Sequence, residues 1–77
     1  LCLARFNIPS HSHLDGLTVE QVEQQYNVSV VYLRNNTQAD LHPPSGIRLV
    51  AGDAIAILGG PGEINQLASN NGTTVND

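Results

Sequence analysis

The chain has 77 residues, room for one domain whose folding buries about 60% of its surface and leaves a thin core. Charged residues make up 13% of it, there is no Lys, and Arg5, Arg34 and Arg48 are the only cations against seven carboxylates, a net charge of −4. That balance argues against a nucleic-acid polymer as partner, since such binding requires a basic stripe, and against a basic membrane-surface helix.

Part of the missing charge is replaced by amides, eight Asn and five Gln. With no Met, the chain reads as a piece of a longer protein. Its single Cys2 cannot form an internal disulfide, and a small secreted domain normally carries several, so a reducing compartment is expected. The sequons at Asn27, Asn35 and Asn71 read as chance in so Asn-rich a chain. No apolar run approaches the roughly 18 residues that span a bilayer, so direct membrane insertion is not expected of this segment.

The chain opens on an alternating segment. Cys2, Ala4, Phe6 and Ile8 fall on one face and Arg5 and Asn7 on the other, the pattern of a half-buried strand ended by Pro9. A loop over 10–15 carries His11 and His13, and Asp15-Gly16 marks a turn. Thr18 and Gln21 then form a capping box, with Leu17 and Val22 as its hydrophobic staple. A helix follows to about Gln25, with Val19, Val22 and Tyr26 as its stripe and Glu20 at the positive end of its dipole. So short a helix needs a sheet to dock on.

Val28 to Leu33 (VSVVYL) reads as a strand apolar on both faces except at Ser29, hence central or covered on both sides. A short strand over Ala39–His42 precedes Pro43-Pro44-Ser45-Gly46, which cannot donate to a ladder and must be a loop. Ile47 and Leu49 alternate briefly before the Ala51-Gly52-Asp53 turn, and 53–58 (DAIAIL) is a compact buried strand. Gly59 to Gly62 breaks it. Pro61 and Glu63 start a second helix with Ile64, Leu67 and Ala68 as its stripe, and 69–77 is read as a flexible tail. The expected fold is α+β: a small, mostly antiparallel sheet of four to five strands with two short helices packed on it.

Few residues carry chemistry. His11 and His13, with Asp15 nearby, are the weak metal candidates; lacking a Cys pair or a helical HExxH frame, they read as exposed loop histidines. The Gly59–Gly62 run sits where a phosphate cradle would, but it lacks the Lys-Ser/Thr of a P-loop, and Pro61 removes an N–H. Cys2 falls on the apolar face of its strand, which suits packing rather than thiolate chemistry. Asp40 and Asp53 lie beside turns as backbone caps. No catalytic residue is assigned, and the chain is not expected to be an enzyme. His42-Pro43-Pro44, a rigid segment after a short strand, either presents a shaped edge to a ligand or subunit or blocks a sheet edge.

Several pieces occur together in one family. Ile8-Pro9 with Ser12 and Leu14, Gly16-Leu17-Thr18-Val19, Tyr26 to Val31, His42-Pro43, Leu49 with Gly52-Asp53-Ala54-Ile55, and Ile57-Leu58-Gly59 with Ile64 and Leu67 follow in an order that resembles the TrkA-C domain. This is the C-terminal lobe of the RCK (regulator of potassium conductance) module. The resemblance runs over most of the chain, and a domain spanning 1–68 is expected. It implies a two-fold dimer that follows a Rossmann-like TrkA-N lobe. It also implies a place at the cytoplasmic face of the membrane, in a regulatory part of a potassium or other cation channel, uptake system or antiporter. The ligand it implies is small: cyclic di-AMP in some members, a divalent cation in others, with no resident cofactor. Carried onto this chain, the ligand positions fall at Glu23, Ser29, Val30, His42 and Pro43. Val30 and Pro43 suit an apolar floor, Ser29 is shorter than the family's amide, and Glu23 stands where a cation would meet a phosphate. A purely structural dimerisation module is the alternative.

Overall fold

The computed structural model describes residues 1–73. Six elements follow in order: β1 (Cys2–Asn7), α1 (Val19–Tyr26), β2 (Ser29–Arg34), β3 (Ala39–Leu41), β4 (Ala54–Gly59) and α2 (Pro61–Asn71). The strands form one antiparallel sheet in the order β1-β4-β2-β3. β2 and β3 form a hairpin, and β4 then inserts between β1 and β2, so the most apolar strand takes a central place. The expected α+β architecture is observed, with four strands of the four to five expected; Ile47 and Leu49 form no strand of the sheet.

Both helices pack on one face. Phe6 from β1, Val30 and Leu33 from β2, and Ile55 and Ile57 from β4 meet Val19, Val22 and Tyr26 of α1 and Ile64, Leu67 and Ala68 of α2 in a single buried cluster. The helix stripes are those the period predicts. The capping box forms: Gln21 N donates to Thr18 Oγ1 at 3.1 Å and Thr18 N to Gln21 Oε1 at 2.9 Å. Asn27 ends α1 in the left-handed region at φ 56°, where Asn is tolerated.

Register in β2 depends on an irregularity. Val30 pairs with Ile57 while Tyr32, two residues on, pairs with Ala56, a bulge that inserts Val31. Strict alternation from Val30 would turn Tyr32 inward and Leu33 outward. The bulge reverses that, so Val30 and Leu33 both reach the core and Tyr32 faces out. The doubly apolar reading of this strand resolves into one covered face and one open face.

Two expectations are corrected. α2 does not stop before residue 69: it runs to Asn71 and ends at Gly72, φ 78°, whose N–H donates to the carbonyl of Ser69. Asn71 is fully buried. Ser12 Oγ donates to its Oδ1 at 2.5 Å, and its Nδ2 donates to the Asn7 carbonyl at 3.0 Å, so the last turn is tied to β1 and the 10–15 loop. The domain therefore continues past residue 68, and what remains of the expected tail, 74–77, lies outside the described residues. Cys2, assigned to the packed face, is exposed, because it begins the edge strand beyond the reach of the helices.

The loop from Pro44 to Val50 is fastened to the start of α1. Helix-start amides lack intrahelical acceptors. Here Val19 N donates to the Ile47 carbonyl at 2.8 Å and Glu20 N to the Ser45 carbonyl at 3.0 Å. Arg48 donates to the Gly16 carbonyl. Asp53 accepts from Val50 N at 3.0 Å, the turn-capping role expected of it.

Candidate functional site

β3 is short, so it leaves the first residues of β2 without a strand partner on that side. Two groups take its place. The Glu23 carboxylate, from the second turn of α1, accepts from Val30 N at 2.9 Å. His42, which follows β3, donates its N–H to the Val31 carbonyl at 3.3 Å. The candidate residues Glu23, Val30 and His42 are thus linked through one stretch of the β2 edge, with Ser29 and Pro43 their chain neighbours. The site is a corner bounded by α1, the start of β2 and the 42–50 loop.

Within that corner the five residues play different parts. His42 is exposed and has φ 55°, a left-handed conformation that costs a non-glycine residue free energy and directs the chain abruptly into Pro43. Ser29 is exposed, paired with Leu58, and lies on the open side of the sheet. Glu23 is half-buried and already engaged by a backbone amide. Val30 and Pro43 are buried within the single chain, so neither side chain is open as the apolar floor expected of it; Val30 faces the helices. What the corner offers from one chain is the His42 imidazole, the Ser29 hydroxyl and the exposed edge of the hairpin.

The other candidates separate. His11 and His13 are both exposed in their loop, and among the described residues no group of three or more His, Cys, Asp or Glu side chains is brought together to hold a metal. His11 instead lies against Gly72: a Cβ on that glycine would stand 2.6 Å from His11 Nε2. Gly60 caps α2 and Pro61 occupies its first turn, the turn-and-cap role the glycine run suggests. Asn71 is too deeply buried to serve as a glycosylation acceptor.

The uncovered sheet face carries features that residue types alone do not reveal. Opposite the helices, Arg5 pairs with Ala56 and Asn7 with Ala54 on one side of β4, and Tyr32 and Arg34 pair with the same two alanines on the other. Leu41 of β3 stands across from Tyr32 and is 77% exposed. These residues surround an open depression of about 560 Å³. Alternation in β1 hints at Arg5; the side taken by Tyr32 and Arg34 depends on the bulge.

An antiparallel β1-β4-β2-β3 sheet with both helices on one face is a fold this chain shares with several solved domains. Its solved counterparts include the RCK_C domain dimer of S. agalactiae BusR in complex with c-di-AMP (TM-score 0.79, 15% identity, 94% of this chain and 97% of that one). The RCK C domain of the potassium transport protein KtrA, also in complex with c-di-AMP, superposes with TM-score 0.73 at 16% identity, covering 88% of this chain and 80% of that one. The GsuK channel bound to NAD matches with TM-score 0.69 at 15% identity, covering 92% of this chain but 13% of its own. A BusR structure in complex with promoter DNA also matches (TM-score 0.78, 15% identity, 94% of this chain), and this chain covers 36% of it. No curated protein sequence matches the chain significantly. The family model of the TrkA-C domain matches residues 3–72, and the chain belongs to that family. No helix among the described residues is long and apolar enough to cross a membrane.

Proposed function

We propose that this chain is a ligand-sensing regulatory domain of a potassium or other monovalent-cation channel, uptake system or antiporter. It acts as a two-fold dimer, behind a TrkA-N lobe, on the cytoplasmic side of the membrane. Its role is regulation and not catalysis. The observation that carries the reading is family membership joined to the corner: the His42-Pro43 turn, the start of β2 and Glu23 of α1 are linked there by hydrogen bonds. A mate placed against this corner would face its counterpart across a cleft, with His42 and Ser29 as the exposed polar groups. A ligand in such a cleft acts only through its different affinity for two arrangements of the pair. Cyclic di-AMP is the first ligand to test, because the BusR and KtrA domains are seen in complex with it; NAD and divalent cations follow.

One observation favours the alternative, a dimerisation module without its own ligand. Glu23 puts a carboxylate where a phosphate would approach, and its oxygen is committed to Val30 N. Like charges there oppose a phosphodiester. A thermal-shift panel on the 77-residue chain with cyclic di-AMP, NAD, Mg²⁺ and Ca²⁺ separates the two. A ligand at 100 times its dissociation constant stabilises the folded state by about 2.7 kcal/mol. For a sensor, at least one ligand raises the melting temperature and His42→Ala removes the shift. Twice the monomer mass in sedimentation with no shift from any ligand sinks the sensing reading and leaves the dimer module; a monomer at about 100 µM sinks the dimer.

A further inference from the structure

We infer a second binding site, separate from the His-Pro corner: the depression on the open face of the sheet takes a planar organic anion. Two adjacent outward positions of the central strand β4 are Ala54 and Ala56, whose small side chains leave a floor. The flanking strands raise walls, Arg5 and Asn7 from β1, Tyr32 and Arg34 from β2. From the spacing of strands and of alternate residues, the Cα atoms of Arg5 and Arg34 lie roughly 12 Å apart, diagonally across that floor. Both side chains are long enough to close on one ligand from opposite corners.

The charge of this face is inverted relative to the whole. The chain carries −4, yet two of its three arginines line this one depression. Arg48 is used elsewhere, on the Gly16 carbonyl, whereas no hydrogen-bond partner engages Arg5 or Arg34 among the described residues. Among the described residues, no carboxylate lines the depression. Asp40, the acid in β3, stands opposite Leu33 and so belongs to the other side of the sheet. Guanidiniums bind carboxylate and phosphate oxygens through paired donors and also stack on flat rings. The Tyr32 ring and the alanine floor favour a flat apolar body, and about 560 Å³ is within the range of small-molecule sites.

A second copy laid squarely on this face fits less well. A two-fold contact centred there would bring four guanidiniums together with no carboxylate between them. Arginines on an exposed strand face also keep a sheet solvated, but solvation does not require a hollow between them.

Amide NMR titration of the labelled 77-residue chain tests the site with four probes: phenyl phosphate, benzoate, inorganic phosphate and benzyl alcohol. Phenyl phosphate or benzoate is expected to give saturable shifts centred on Ala54, Ala56 and Arg34, and the tighter of the two identifies a phosphate or a carboxylate source. Inorganic phosphate, lacking the ring, and benzyl alcohol, lacking the charge, are expected to bind at least several-fold more weakly. Arg5→Gln and Arg34→Gln should each weaken the better probe roughly tenfold, with the melting temperature unchanged. The inference is overturned if neither aromatic anion shifts these amides or if the double substitution leaves the shifts in place. It is also overturned if the response centres on Val30 and His42, an outcome that would support the corner reading alone.

Discussion

The two faces of the sheet are built from the same strands under opposite rules. Toward the helices the three longer strands present a buried apolar set: Phe6, Val30, Leu33, Ile55 and Ile57 are each at most 5% exposed. Away from them the strands present Leu3, Arg5, Asn7, Ser29, Tyr32, Arg34 and Leu41, with alanines between. The covered face specifies the fold and tolerates no vacancy, since interiors pack at crystal-like density. The open face contributes little to the stability of one chain and is therefore available for recognition. If this division is right, stability should respond to substitutions in the first face and be nearly indifferent to those in the second.

The largest expected effect is in the centre of the covered face. Ile57 is fully buried on the strand flanked by β1 and β2. Ile57→Ala removes buried methyl groups and leaves a cavity, a cost of about 2–5 kcal/mol. Single domains have only about 5–15 kcal/mol in total, so urea unfolding should show a midpoint reduced by a large fraction. A shift below about 1 kcal/mol would mean that the two faces are not divided as described.

Next is Asn71, which ties the end of α2 to β1 and the 10–15 loop. Asn71→Ala leaves the buried Ser12 hydroxyl and the part-buried Asn7 carbonyl without this partner. The expected loss is about 1–3 kcal/mol, measured by the same unfolding curve. A truncation after residue 68 should do at least as much damage, because it also removes the last turn of α2 and its Gly72 cap. A truncated chain as stable as the parent would restore the shorter domain boundary.

These two sites also mark what could be read before the structure. The covered face was legible because period 2 in β1 and β4 and period 3.6 in both helices each place apolar residues on one side. The capping box carries its own local signal, and it forms as expected. The end of α2 was not legible: Ser-Asn-Asn-Gly has weak helix propensity, and its helical state is held by Asn71 contacts with residues about 60 positions away. The side taken by Tyr32 and Arg34 was equally hidden, because one bulged residue reverses the alternation. At the candidate corner, the motif resemblance pointed to Glu23 and Val30, which share a hydrogen bond, and to His42, which bonds to Val31. It did not indicate that Val30 and Pro43 would be buried or that Glu23 would be capping a strand amide. The Glu23 contact arises because β3 is too short to pair with Val30.

Thr18→Ala is a smaller test, set at the boundary between the helix layer and the loop. It removes the acceptor for Gln21 N and breaks the reciprocal box, for an expected cost of about 1 kcal/mol. The effect is limited because the neighbouring amides of Val19 and Glu20 are held independently by the carbonyls of Ile47 and Ser45. A cost above about 2 kcal/mol would show that the 44–50 loop depends on the box and releases with it.

The smallest expected change in stability, and the one that bears most on function, is on the open face. Leu41 is 77% exposed at the edge strand, beside both the His-Pro corner and the arginine-flanked depression. Leu41→Ser removes little buried area from the single chain, so the monomer's unfolding free energy should move by less than about 0.5 kcal/mol. If a mate covers this edge, the same leucine is buried in the pair, and apolar burial is worth about 25 cal/mol per Å². The substitution should then weaken self-association in sedimentation while leaving the unfolding of the separated chain alone. A drop in association together with unchanged chain stability assigns Leu41 to the interface. A loss of chain stability would instead show that the edge strand depends on this side chain, and the division between a structural face and a recognition face would fail at the place where it matters most.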